Sequence, residues 1–216
     1  MPSLADVLAA GLRDLSLPQS PAQQQALLDY IALLSKWNRV YNLTAVRDPG
    51  HMLTQHVLDC LAALPAVKQQ FPQQDLTLLD VGAGGGLPSV VFAIACPDWK
   101  VTAVDTVAKK AAFIQTTAHS LGLGNLQAVH SRVEALSGGF DLVTCRAYAS
   151  LRDFCESSRH MLKPGGWWVA MKAKLSVEET ADLPLDVHIE TIQPLTVPGL
   201  QADRCLVWMK DLNRVE

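Results

Sequence analysis

Apolar residues recur at helical spacing through the first third of the chain and gather into short runs through the rest. Ser3, with Asp6 three positions on, makes a capping box before LADVLAAGL. Ser20 and Gln23 make a second, with Pro21 at the first helical position. The helix behind it is striped by Leu27, Ile31, Leu34, Trp37 and Tyr41. Asp48-Pro49 opens a third helix, striped by Met52, Leu53, Val57, Cys60, Leu61 and Leu64, and Pro65 is expected to end it. From residue 76 the pattern changes. LTLLDV, KVTAVD, LQAVHS, FDLVTC and WWVAMK read as strands, with PSVVFAIAC, AKKAAFIQTTAHSLG and LRDFCESSRHML as helices between them. VHIETI and RCLVWMK close the chain as an antiparallel pair around the loop QPLTVPGLQAD. This alternation predicts an α/β fold: a Rossmann-like, mostly parallel seven-stranded sheet with helices on both faces and an N-terminal helical extension. Residues 1–68 are read as that extension, packed on a domain spanning 69–216, in one compact unit.

With 216 residues, 49% hydrophobic and 18% charged, the chain can bury one sizeable core. It is not a disordered tail, a collagen or a small disulfide scaffold. Five widely spaced cysteines without a CxxC argue against a metal site or disulfide framework and for a reducing, cytoplasmic compartment. The N-terminus lacks a basic leader and no apolar run reaches about 18 residues, so neither a signal peptide nor a membrane span is expected. The net charge of −3 leaves no basic footprint in the total. Its distribution changes the picture. Residues 100–174 carry ten basic against five acidic side chains, while 175–203 carry six acidic ones and no Lys or Arg. A local basic face suited to modest, salt-sensitive RNA binding is therefore compatible with the total.

The sharpest motif is Leu79-Asp80-Val81-Gly82-Ala83-Gly84-Gly85-Gly86-Leu87-Pro88, between a strand and a helix. It lacks the Gly-Lys-Ser/Thr of a phosphate loop. As a dinucleotide loop it fails from Gly82 and is weak from Gly84. Asp-x-Gly-x-Gly-x-Gly, the first motif of S-adenosyl-L-methionine (SAM) methyltransferases, matches at every position. Asp80 can accept from the ligand's amino group or an ordered water. Asp105, with Thr106, ends the second strand, where an acid can hold both ribose hydroxyls. Arg132-Val133-Glu134 follows the third, where backbone N–H groups can read adenine. In this order the features favour SAM, with S-adenosyl-L-homocysteine as product, over a nicotinamide cofactor and an oxidoreductase.

The fourth strand ends in Thr144-Cys145-Arg146-Ala147-Tyr148, without the Asn/Asp-Pro-Pro-aromatic motif of DNA amino methyltransferases. Cys145 could attack a pyrimidine C6 and activate C5, but such enzymes show Pro-Cys, and a small buried cysteine is the favoured reading. Arg146 is an always-charged fork at the ligand edge of the sheet, suited to the SAM carboxylate, an RNA phosphate or a salt bridge.

Trp37-Asn38, Tyr41-Asn42-Leu43-Thr44-Ala45, His56-Val57-Leu58-Asp59, the Asp80–Pro88 loop, Asp105 with Lys109-Lys110, Arg132-Val133-Glu134 and Arg146-Ala147-Tyr148-Ala149-Ser150 together resemble the ribosomal small-subunit methyltransferase G family, or glucose-inhibited division protein B. The likeness runs from about residue 20 to 210. It implies SAM-dependent methylation of N7 of guanine 527 in the 530 loop of 16S rRNA, met within a 30S subunit or its assembly intermediate. No membrane, metal or obligate protein partner is implied. By position it implies SAM contacts from Gly82, Leu87, Val133, Glu134 and Arg146, with Asp105 at the ribose. Asp80, Ala83, Gly84, Gly86 and Thr106 complete the expected cofactor site. Arg146, Asn42, His56 and Lys172 are the catalytic candidates, with His56 paired to Asp59 on one helix face. Arg132, Lys109, Lys110, Lys172 and Lys174 are the candidate RNA contacts. Trp37 and Tyr41 are read as core packing rather than base stacking. One departure is Ala173, where the family has glycine; a positive φ there would strain the turn after Lys172.

Overall fold

In the computed structural model both capping boxes form. The structure describes residues 2–73 and 75–214, so Met1, Gln74, Val215 and Glu216, which belong to the two segments read from sequence, lie outside it. Ser3 and Asp6 cap α1 (Leu4–Asp14), and Ser20 and Gln23 cap α2 (Pro21–Tyr41). The Gln23 amide also donates to the Ile94 carbonyl at 2.9 Å, tying α2 to the helix over residues 89–95 that packs on the sheet. Asp48 caps α3 (Pro49–Met52), which runs into a π-helical turn at Leu53–Leu58 and then α4 (Asp59–Gln70). The expected stop at Pro65 is not there: α4 continues to Gln70. An interior proline costs about 3 kcal/mol. Burial of Leu61, Leu64, Ala66 and Val67 on the same helix offsets it.

Seven strands follow the predicted runs: β1 (Thr77–Val81), β2 (Lys100–Asp105), β3 (Leu126–His130), β4 (Phe140–Arg146), β5 (Leu162–Lys172), β6 (Val187–Pro194) and β7 (Cys205–Asp211). They form one sheet in the order β3-β2-β1-β4-β5-β7-β6. The pairings of β1 to β5 are parallel, and β7 runs antiparallel to both β5 and β6. Helices α5 (Ser89–Ala95), α6 (Ala108–Ser120) and α7 (Leu151–Ser158) make the crossovers, and a short α8 (Val177–Ala181) precedes β6.

Alternate residues of each strand feed opposite faces. Leu78, Val101, Leu142 and Val169 join a core with α1, α2, α4, α5 and α6. Leu79, Val104, Val143 and Trp168 join a second with α7. The N-terminal helices thus share a continuous hydrophobic cluster with one sheet face. Central strands buried on both sides explain their unbroken apolar runs, while β6, at the edge, is largely exposed.

The order in which successive strands are added reverses between the parallel neighbours β1 and β4, the switch point where open α/β sheets bind ligands. Asp80 and Val81, Asp105, and Cys145 with Arg146 arrive together there, because Val81 pairs with both Val104 and Cys145.

Candidate functional site

A cleft of about 450 Å³ opens at this switch point, lined among others by Gly82, Asp105, Thr106, Lys110, Arg132 and Glu134. Val133 and Tyr148 complete its walls. Gly82 has φ +71°, and a Cβ there would stand 3.5 Å from the Tyr148 ring, inside the cleft. Glycine both permits that backbone and keeps the space open. The rest of the loop stands behind Gly82. Ala83 and Gly86 are buried. Gly86 has φ +84°, and a Cβ would lie 2.4 Å from Val90 Cγ2. The Gly84 N–H donates to Asp105 Oδ2 at 2.9 Å, and Leu87 packs against the core. The Tyr30 hydroxyl donates to the Gly85 carbonyl at 2.7 Å, so α2 braces the loop.

Asp80 is fully buried. Its Oδ2 accepts the Ser89 N–H at 3.0 Å, capping α5, and its Oδ1 has no partner among the described residues. Burial pushes its carboxyl up to about 7, with the Ser89 hydrogen bonds pulling the other way. Asp105 is also buried, and the Val107 N–H donates to its Oδ1 at 2.8 Å. Each oxygen of Asp105 thus holds one backbone donor, which leaves lone pairs for further donors. Lys110 Nζ stands 3.9 Å away.

Arg146 does not project freely toward a ligand. It reaches back into the helical layer. Its Nη2 donates to the Gln55 carbonyl at 2.8 Å and lies 3.2 Å from His56 Nδ1, and its Nε lies 3.3 Å from Asp59 Oδ2. Burial opposes its charge, and the surrounding groups, Cys60 and Asp59 foremost, raise its pKa on balance. Asp59 Oδ1 accepts from Arg204 Nε at 2.8 Å. Burial raises the Asp59 carboxyl against the pull of the two arginines.

The expected His56–Asp59 pair is corrected. The π-helical turn over Leu53–Leu58 changes the angular spacing on which an i,i+3 pair depends. His56 Nε2 instead bonds Thr44 Oγ1 at 2.8 Å, and Nδ1 lies 2.9 Å from the Gln55 carbonyl. Burial, with Arg146 beside it, lowers the imidazole to about 4, so it is neutral near pH 7.

Asn42 caps α2 in the left-handed region at φ 49°, and its exposed Oδ1 accepts from Arg47 at 3.4 Å. It is remote from the Arg146 cluster in bonding, whereas Asn38 fixes the same loop through Thr44 N and the Val46 carbonyl. Trp37 is half-buried between the tilted rings of Tyr41 and Phe113, with centroids 5.2 and 5.4 Å away, whereas Tyr41, at the end of α2, is exposed, which corrects its reading as a core residue. Lys172 is ion-paired with Glu179 of α8. Lys109 and Lys174 are exposed, and Arg132 is exposed at the cleft rim. Ala173 is not among the residues with positive φ, so the feared strain does not arise; the left-handed residue of this region is Ala147, φ 56°. Cys145 is buried and burial raises its thiol well above the ordinary value, which disfavours the thiolate a pyrimidine C5 mechanism needs. Tyr30, Gln55, Glu179 and Arg204 were not foreseen. Tyr30 alone had a signal, three residues after Leu27 on the same stripe.

A second cavity of about 310 Å³ lies beside Arg146, walled also by Asp59, Lys172 and Arg204, and meets the cleft at Ala147 and Tyr148. The antiparallel β7 between β5 and β6 separates this sheet from the usual dinucleotide-binding order.

Residues 23–207 match the family model described as rRNA small subunit methyltransferase G. The protein "Ribosomal RNA small subunit methyltransferase G" of Acidovorax sp. (strain JS42) is 55% identical over 96% of each chain. Its namesake from Methylibium petroleiphilum (strain ATCC BAA-1232 / LMG 22953 / PM1) is 50% identical over 96% of this chain and 94% of its own. Among solved structures, a SAM-dependent methyltransferase from Aquifex aeolicus superposes with TM-score 0.54 at 15% identity, over 83% of this chain and 97% of that one. At that identity the likeness speaks for the fold alone. The match over residues 23–207 and these full-length identities establish that the chain belongs to the rRNA small subunit methyltransferase G family.

Proposed function

We propose that this protein transfers a methyl group from SAM to N7 of guanine 527 in the 530 loop of 16S rRNA, in the cytoplasm, with the rRNA presented in a 30S subunit or its precursor. One observation carries the reading: 55% identity, over 96% of both chains, to a protein named for small-subunit rRNA methylation. The switch-point cleft fits the cofactor. Gly82 keeps its floor open, Asp105 has spare acceptor capacity for ribose hydroxyls, and Val133 and Glu134 stand where backbone donors can meet adenine. Asp80 Oδ1 is buried and unpartnered among the described residues, and Asp80 is not part of the cleft wall, so it meets the cofactor's amino group only through an ordered water. When bound, SAM supplies the methyl group as an electrophilic sulfonium substituent.

Guanine N7 has an in-plane lone pair and no proton, so attack needs no general base. A His56 that is neutral near pH 7 and bonded to Thr44 fits a positioning role. The base gains positive charge as the methyl transfers, so an unneutralised cation beside it would oppose the reaction. Asp59 against Arg146 limits that charge. Catalysis on this reading is chiefly alignment. Residues 1–68 act as a helical cap over the domain at 69–216, joined to it by a shared hydrophobic cluster and by polar ties that include Tyr30 to Gly85 and Arg146 to Gln55. The test is tritium transfer from labelled SAM to unmodified 16S rRNA, naked and in 30S particles, followed by nucleoside analysis. Recovery of 7-methylguanosine at that guanine is expected; labelled rRNA without it would overturn the assignment.

A further inference from the structure

The 310 Å³ cavity is lined by three cations, Arg146, Lys172 and Arg204, and one carboxylate, Asp59. Asp59 gives Oδ1 to Arg204 and Oδ2 to Arg146, so a single negative charge serves two guanidinium groups. Arg146 places its other donors on Gln55, His56 and Cys60. Arg204 places Nη1 on the Asp203 carbonyl at 2.8 Å, and its Nη2 has no partner among the described residues. Lys172 pairs with Cys205 across β5 and β7, and Arg204, one residue before Cys205, reaches the same cavity wall as Lys172. The only carboxylate on Lys172 among the described residues is Glu179, which is not part of the cavity wall. Leu151, Ala170 and Leu195 supply apolar wall, where charges attract more strongly than in water.

We propose that Arg204 and Lys172 clamp one backbone phosphate of the RNA substrate, with Glu179 holding Lys172 until the phosphate replaces it. The inference rests on the proposed rRNA function. A phosphate of a polymer suits the place. Ala173, Leu195, Arg204 and Cys205 also wall a groove of about 530 Å³ that continues past Lys174 and Val177, which gives a strand room to pass. The cleft walls carrying Asp105 and Glu134 are on the other side of Ala147 and Tyr148.

The test uses the full-length protein, unmodified 16S rRNA titrated at several salt concentrations, and SAM binding measured separately. Arg204→Ala is expected to weaken rRNA binding about tenfold and to reduce the salt slope by about 0.7, the share of one phosphate contact on a single strand. SAM affinity should hold. Glu179→Gln, on a short surface helix, is expected to tighten rRNA binding and lower its KM about threefold, because the phosphate no longer competes for Lys172. An Arg204→Ala protein that keeps the wild-type slope, or a Glu179→Gln protein that binds rRNA no better, overturns the clamp. If Arg204→Ala fails to fold, Glu179→Gln decides alone. Wild-type protein that leaves rRNA unmethylated overturns the parent reading instead.

Discussion

Asp80 and His56 are both buried at the site, and burial drives their ionisation in opposite directions. The Asp80 carboxyl is raised from 3.8 to about 7. Its contribution to stability is therefore complete below about pH 4 and is lost as pH rises through 7, on the order of 4 kcal/mol across the window. Asp80→Asn keeps an acceptor for the Ser89 N–H and should flatten that decline, read by urea unfolding at several pH values. A variant that declines as steeply would show the slope arises elsewhere. His56 falls from 6.5 to about 4, so its contribution is present above pH 6.5 and lost as pH drops through 4. Its imidazole resonances should titrate near 4 in an NMR series; titration near 6.5 would contradict the buried, Arg146-adjacent environment. Arg146→Ala would strip one of two cations from buried Asp59, which Arg204 still holds, costing about 1.5–3 kcal/mol of stability together with methyl transfer. Unchanged melting, SAM binding and activity would remove Arg146 from the site. Sequence placed Arg146 at the ligand edge of the sheet. Its bond to Gln55 spans 91 residues, and nothing local encodes such a partner.

Elements were more legible than their ends. The capping boxes and all seven strands follow local rules: a side chain that caps its own helix needs no distant help. Ser20→Ala should cost about 1 kcal/mol in thermal or urea unfolding, since α2 loses its cap and the Gln23 tie to Ile94 loosens. Pro65 shows the limit of local rules: α4 carries it because the neighbouring side chains are buried in a core assembled from several helices. The π-helical turn at Leu53–Leu58 left no recognisable trace in the apolar stripe, yet it decides what His56 and Asp59 face.

For the whole molecule, the distribution of charge matters more than its sum. The basic stretch from 100 to 174 contributes β2, β4 and β5, whose C-terminal ends border the cleft and the second cavity. rRNA binding should therefore fall steeply with added salt while SAM binding changes little, a contrast readable by titrating both at increasing ionic strength. Equal salt sensitivity would argue against an electrostatic RNA face. The acidic segment from 175 to 203 is not idle ballast in the total charge: it supplies Glu179, which neutralises Lys172.

The succession of strands and helices along the chain, the glycine turn and the acid ending β2 were determined by sequence alone, because hydrophobic period, backbone freedom and strand-end chemistry act over a few residues. Tertiary structure decided the ion network. Arg146 and Arg204 share Asp59 across 87 and 145 positions, and only the folding of the helical layer onto the sheet brings those charges within hydrogen-bonding distance in a buried place where each must find a partner.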